Sequence, residues 1–296
     1  MAVQTEVTIV TLEGRLVAPG IPLLHADDLA VLRGDGVFET LLVRDGAACL
    51  LDAHLRRLAH SAELMELPTP DLPAWARAVD MAVQHWTSGS TGEGALRLIY
   101  SRGRESGSEP TGYVMISPLP DRIAAARRDG VAAVTLDRGL SATGGDAMPW
   151  LLAGAKTLSY AVNMAALRYA AQRGADDVIF VSSDGYILEG PRSTVVIVQN
   201  AADNTCLFTP PPSHRILHGT TQQALFDVAK AHGYDCDYRP LRRTDLFAAH
   251  DVWLGSSITL AARVHTLDGR VLAPGSPDAE VVELIEAAVV SDRRRC

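Results

Sequence analysis

The chain has 296 residues, 35 of them acidic and 27 basic, for a formal charge of −8. That acidic balance offers no basic stripe against a phosphate backbone, which excludes nucleic acid as the main partner. At about 150 residues per domain the length predicts two domains or one large α/β domain, and a chain of this size buries a core without disulfides or metal.

No apolar run approaches the roughly 18 residues that span a membrane, and MAVQTEVTIVTLEG lacks the basic and apolar regions of a signal peptide. Cys49, Cys206, Cys236 and Cys296 are far apart and form no C-x-x-C. They read as reduced thiols and predict a cytoplasmic location, with Cys49 in the core.

TIVTLEGRLV predicts a hairpin around Glu13-Gly14, and VFETLLVRDGAACLL a second around Asp45-Gly46. Asp52 then caps a helix whose apolar residues Leu55, Leu58, Ala59, Ala62 and Met65 share one face; Pro68 and Pro70 end it. Asp71 and Pro73 start another helix, with Leu72, Trp75, Ala76, Val79, Val83 and Trp86 on one side, and Thr87 to Gly94 reads as a loop. ALRLIYS and YVMIS are strands. Pro118, Pro120 and the polar DRIAAARRDG mark the boundary, giving an N-terminal α/β domain over 1–119, a linker over 120–128 and a C-terminal domain over 129–296.

Beyond it, VAAVTLD is a strand, LSYAVNMAALRYAAQRG a helix stopped by Gly174, and DDVIFVS, YILE and TVVIV three further strands. Gly219-Thr220-Thr221 opens the helix QQALFDVAKAHG; the strand VWLGS, a hairpin around Asp268-Gly269 and the helix VVELIEAAVV follow. The elements do not alternate strictly as βαβ, so the fold class is α+β.

Gly34-Asp35-Gly36 lacks the third glycine and the helix of a dinucleotide fingerprint. His54 and His60 lie six apart on a helix and cannot share a metal; with His214 and His218 they read as surface or capping histidines, so no metal is expected.

Among the 27 basic residues only Lys156 and Lys230 are lysines. Lys230 falls in a polar helical stretch. Lys156 stands among small apolar residues before a helix, where desolvation favours the free amine that attacks a carbonyl, although a solvated surface lysine fits the same pattern. Glu189, in DGYILEGPRSTVVIV, is either a turn residue or the carboxylate that keeps a pyridinium nitrogen protonated. Gly219-Thr220-Thr221 at a helix start suits an anion, Gly255-Ser256-Ser257 offers further hydroxyls, and Arg57 a fixed cation beside a solvated Arg56.

The ordered set GDGVFET, HLRRL, RLIYSRG, KTLSY, DGYILEGPRST, LHGTTQQAL and LGSS resembles the class IV, or fold type IV, pyridoxal phosphate (PLP) enzymes, from about residue 24 to 270. These include branched-chain and D-amino acid aminotransferases and aminodeoxychorismate lyase. The resemblance implies a small N-terminal α/β domain, a larger C-terminal pseudo-barrel and PLP between them in a homodimer. It makes Lys156 the Schiff-base lysine, Glu189 the partner of the pyridine nitrogen, and Arg57, Thr220, Thr221, Ser193 and Ser256 further cofactor-binding residues.

Two positions depart from that pattern. Arg33 stands where an aromatic usually precedes G-D-G, and Thr194 follows Ser193 where Asn is common. Arg33 either meets a substrate carboxylate or pairs with Asp28 or Asp35.

GDGVFET and Ser101-Arg102-Gly103 resemble the lyase branch more closely. The branched-chain Y-x-R is missing, since Ala95 stands two before Arg97, and the D-amino acid R-x-H is missing, since Ile99 stands two after. The expectation is therefore a lyase that releases pyruvate from 4-amino-4-deoxychorismate and leaves 4-aminobenzoate, with ring aromatisation as driving force. A class IV aminotransferase is the alternative, and a PLP-binding protein without catalysis a third reading. Arg97 and Arg102 are either carboxylate binders or strand-edge charges, and Thr40 is a proton relay or water holder.

Overall fold

The computed structural model describes residues 7–90, 92–143, 148–201, 204–272 and 279–291. The chain divides into two compact units, Met1–Pro120 with Ala155–Tyr160, and Asp121–Gly154 with Ala161–Cys296. Within the span expected as the C-terminal domain, residues 155–160 therefore belong with the first unit.

In the first unit, β1 (Thr8–Thr11) and β2 (Leu16–Val17) form a hairpin, followed by α1 (Leu29–Arg33), β3 (Gly36–Arg44) and β4 (Ala47–Ala48). Then come α2 (Leu51–Leu64), α3 (Leu72–Gly89), β5 (Gly94–Ser101) and β6 (Thr111–Pro118). The six strands form an antiparallel sheet in the order β2-β1-β6-β5-β3-β4. Both expected hairpin turns are present, at Gly14 and Gly46, each with the positive φ that glycine tolerates.

Leu55, Leu58 and Ala62 bury one face of α2 as the periodicity predicts. Asp52 is not its cap: Leu50 holds that position in the left-handed region without a side-chain bond, and Asp52 lies in the first turn. Asp71 does cap α3, accepting the Ala74 N–H at 3.0 Å. α3 runs on to Gly89, so the first part of the expected Thr87–Gly94 loop is helical; there the Thr87 and Ser88 hydroxyls bond back to the Val83 and His85 carbonyls at 2.9 and 2.7 Å.

The second unit begins with α4 (Asp121–Asp129), the segment expected as a linker. Its polar composition conceals one anchor, the fully buried Ile123, while Arg127 donates to the Ile258 carbonyl at 2.5 Å. After it come β7 (Val131–Asp137), α5 (Ala161–Ala171), β8 (Asp177–Val181), β9 (Thr194–Ala201) and β10 (Asn204–Thr209). α6 (Thr220–Ala231), β11 (Asp235–Tyr238), α7 (Arg243–Ala248), β12 (Asp251–Ser256), β13 (Leu260–Leu267), β14 (Arg270–Val271) and α8 (Ala279–Ser291) complete the unit.

Its sheet runs β11-β10-β9-β12-β13-β7-β8, with β14 on β13. Three of these pairings are parallel, β10–β11, β13–β7 and β7–β8. Ile179, Ile187, Val195, Ile197, Leu254 and Val264 centre its core. YILE is not a strand: its backbone bonds to Phe180 and Leu241, but Ile187 makes only an isolated bridge.

Candidate active site

In the first unit the lysine-bearing segment lies along β3. The Phe38 N–H donates to the Lys156 carbonyl at 3.0 Å, Leu158 N–H to the Gly36 carbonyl at 2.7 Å, and the Ser61 hydroxyl accepts the Lys156 N–H at 3.1 Å. Gly36 is required there, since a Cβ would stand 2.6 Å from the Tyr100 carbonyl and 2.8 Å from Ser101 Cα. Lys156 is thus fixed by strand-like bonds, and the helix expected to follow it begins at Ala161. Its Nζ sits 4.6 Å from the centroid of the Phe38 ring.

Side chains alternate along β3, so Val37, Glu39, Leu41 and Val43 share the buried face. Glu39 is the exception in chemistry. Its Oε1 accepts Arg57 Nε–H and its Oε2 accepts Arg57 Nη2–H, both at 2.7 Å, while His54 Nδ1 lies 2.6 Å from Oε2. Burial pushes the Glu39 carboxyl upward, but the Arg57 charge and then His54 outweigh it and hold the carboxyl well below its ordinary range. Burial also pulls His54 below its ordinary value against the opposing pull of Glu39, with Arg57 and Lys156 adding to the lowering. A neutral His54 donating from Nδ1 to the carboxylate satisfies both shifts. His54 is therefore a buried partner rather than a surface or capping histidine.

The expected substrate contacts of this unit have diverse partners. Thr40 faces Arg97 across the β3–β5 ladder, and Arg97 donates to the Ser117 hydroxyl at 3.0 Å. Arg102 grips Asp35 at 2.7 Å and also donates to the Met65 and Glu66 carbonyls. Arg33 is exposed and donates to the Leu32 carbonyl. It pairs with neither Asp28 nor Asp35, because Asp28 accepts from Ala30, Ser101 and Thr111 and Asp35 is held by Arg102.

In the second unit three small-residue loops converge at one end of the sheet. Glu189 Oε2 accepts the Leu217 N–H at 3.2 Å, and the Glu189 carbonyl accepts from Phe180. Thr194 opposes Gly255 on the β9–β12 ladder, and a Cβ on Gly219 would meet Thr194 Oγ1 at 2.3 Å. A Cβ on Gly190 would likewise meet Ser193 Oγ at 2.2 Å. Gly219 is the N-cap of α6, where the dipole and first-turn N–H groups favour an anion. Ser256 Oγ accepts the Thr259 N–H at 3.2 Å and so closes a turn as well.

Two hydroxyls in this cluster, Ser193 Oγ and Thr221 Oγ1, are buried without a hydrogen-bond partner among the described residues. Unpaired buried donors are costly, and at a helix start they match a phosphate monoester. The donor set therefore fits a phosphorylated cofactor.

Sequence pattern alone gives Glu39 no role, makes His54 a surface or capping histidine, and marks Thr194 only as a departure from the family pattern. An acid on the same side of the strand as Val37, Leu41 and Val43 was the available signal for Glu39.

The second unit thus holds a hydroxyl-lined helix start with a carboxylate in the same cluster, and the first unit a lysine bound along a strand. The profile of the amino-transferase class IV family matches residues 36–267, and the chain belongs to that family. It is 69% identical over 289 residues to the bifunctional aminodeoxychorismate lyase / D-amino acid transaminase of Mycobacterium tuberculosis, covering 96% of this chain and 100% of that one. A solved hypothetical aminotransferase from Mycobacterium tuberculosis in its PLP-bound form superposes with a TM-score of 0.94 at 69% identity, over 97% of this chain and 100% of that one. The fold IV-transaminase of Curtobacterium pusillum gives a TM-score of 0.90 at 41% identity, over 98% and 99%. The expected α+β, fold type IV architecture is borne out.

Proposed function

We propose that the chain is a PLP-dependent enzyme with 4-amino-4-deoxychorismate lyase activity, and that the same lysine also supports D-amino acid transamination. The observation that carries this reading is the 69% identity, across nearly the whole of both chains, to a relative named for those two activities. The orphan Thr221 hydroxyl at the start of α6 supports the cofactor assignment.

Bound PLP supplies a ring that draws electrons from the substrate carbon bearing the amine. Lys156 Nζ would hold the cofactor and would move a proton from that carbon; in the lyase branch it would return that proton to the departing enolate, giving pyruvate. Glu189 would keep a proton on the ring nitrogen. Arg57, Thr220, Thr221, Ser193 and Ser256 would hold the phosphate end, with Thr40, Arg97, Arg102 and Arg33 proposed to face the substrate.

A homodimer and a cytoplasmic location belong to the same proposal. Trp150, Val162, Met164 and Tyr169 leave large apolar side chains exposed in the second unit, as an interface requires. No helix among the described residues is long and apolar enough to cross a membrane.

The test is an assay with 4-amino-4-deoxychorismate and no keto acid. Catalytic release of pyruvate and 4-aminobenzoate is expected, and a strict requirement for a keto acid acceptor would replace the lyase with the transaminase alone. D-Alanine with α-ketoglutarate tests the second activity.

A further inference from the structure

A carboxylate with no exposed surface in an apolar strand is expensive, and Glu39 makes three charge-assisted bonds there. His54 and Arg57 lie one turn apart on α2 and meet the same carboxylate. The two parallel bonds from Nε and Nη2 fix the plane of the guanidinium, which a single bond leaves free to rotate. The His54 bond to Oε2 in turn stops the carboxylate from rotating. We propose that Glu39 is a positioning residue, whose carboxylate aims Arg57 at the phosphate of the bound cofactor. The proposal rests on the cofactor reading above and adds a specific division of labour: Arg57 touches phosphate, Glu39 acts only through Arg57, and His54 steadies Glu39.

The decisive comparison is between PLP and pyridoxal, which lacks the phosphate, titrated into cofactor-free protein and followed by absorbance. Glu39→Gln is expected to weaken PLP binding about tenfold and to leave pyridoxal binding within about twofold. Arg57→Gln should do the same, and the double variant should bind PLP no more weakly than Arg57→Gln alone, as two residues acting as one unit require. A Glu39→Gln protein that keeps the wild-type preference for PLP over pyridoxal overturns the proposal, as do losses that multiply in the double variant. Removing one member of a buried pair threatens folding. If Glu39→Gln does not fold, Glu39→Asp, which keeps the charge but shortens its reach, takes its place: a reduced preference supports the proposal and an unchanged one overturns it. A wild-type chain that binds neither compound refutes the cofactor reading itself and takes this proposal down with it, a result distinct from loss of the preference alone.

Discussion

Lys156 and Phe38 are joined twice, once by the backbone bond from Phe38 N–H to the Lys156 carbonyl at 3.0 Å and once by Nζ standing 4.6 Å from the ring centroid. Phe38 is itself held edge-on by Tyr160, with ring centroids 5.5 Å apart. The Lys156 amine is thus held beside the strand on which its own segment lies.

If that ring steers the amine, Phe38→Leu should lower kcat several-fold while the melting temperature changes little. A cation–π contact contributes about 0.5–1 kcal/mol at such a site, worth roughly a factor of two to five in rate. Steady-state kinetics beside a thermal melt checks this; an unchanged kcat would deny the ring any part in steering.

Lys156→Ala is expected to remove all turnover and the yellow colour that comes from a lysine-bound cofactor. Absorbance and activity measured on one preparation decide the point. Residual turnover at the wild-type rate would refute the assignment of Lys156.

Glu189→Gln should retain cofactor but slow proton removal from the substrate, because an amide does not hold the ring-nitrogen proton as a carboxylate does. Replacing the substrate α-hydrogen by deuterium gives the readout: the rate should fall and the isotope effect rise. A wild-type rate would leave Glu189 a structural role, as acceptor of the Leu217 N–H.

Thr221→Val separates stability from binding. Exchanging an unpartnered buried hydroxyl for a methyl group should stabilise the cofactor-free protein by about 1 kcal/mol, while the PLP-loaded protein loses a phosphate contact. Melting temperatures with and without PLP should move in opposite directions. A shift of the same sign in both would remove the hydroxyl from the phosphate site.

His54 gives a pH dependence of definite sign. Its folded-state pKa is lowered from an ordinary 6.5 by burial, so the unfolded chain takes up the proton first as pH falls. The stability held by neutral His54 is complete above about pH 6.5 and is lost as pH drops toward the lower folded value. Glu39, depressed from 4.5, contributes above that pH and is lost only on further acidification. His54→Asn keeps a donor near the Nδ1 position but does not titrate. Denaturant midpoints of wild type and His54→Asn should therefore converge between pH 7 and 5, and a constant gap would contradict the buried neutral ring.

Much of this was legible locally. Gly14 and Gly46 announce their turns, Leu55, Leu58 and Ala62 trace a helical face, and Lys156, Glu189 and Gly219-Thr220-Thr221 each sit in a short motif whose chemistry is carried by neighbours in sequence. What escaped depends on distant partners. Glu39 meets residues 15 and 18 positions away, and His54 reads as surface until β3 is laid beside α2. α4 shows one buried apolar residue, β11 is the polar DCDY paired in parallel at the sheet edge, and α7 has only six residues. Periodicity is weak in all three, and tertiary packing decides them.

The return of residues 155–160 to the first unit has a practical meaning for anyone dividing this gene. A piece cut at Pro120, where the prolines invite the cut, carries Glu39, His54 and Arg57 but not Lys156, and it leaves the Phe38 amide without its carbonyl acceptor along a bare strand margin. Such margins recruit other chains. An excised front half is thus a candidate for clumping rather than a miniature of the enzyme, and supplying the missing six residues as a separate peptide should quiet it.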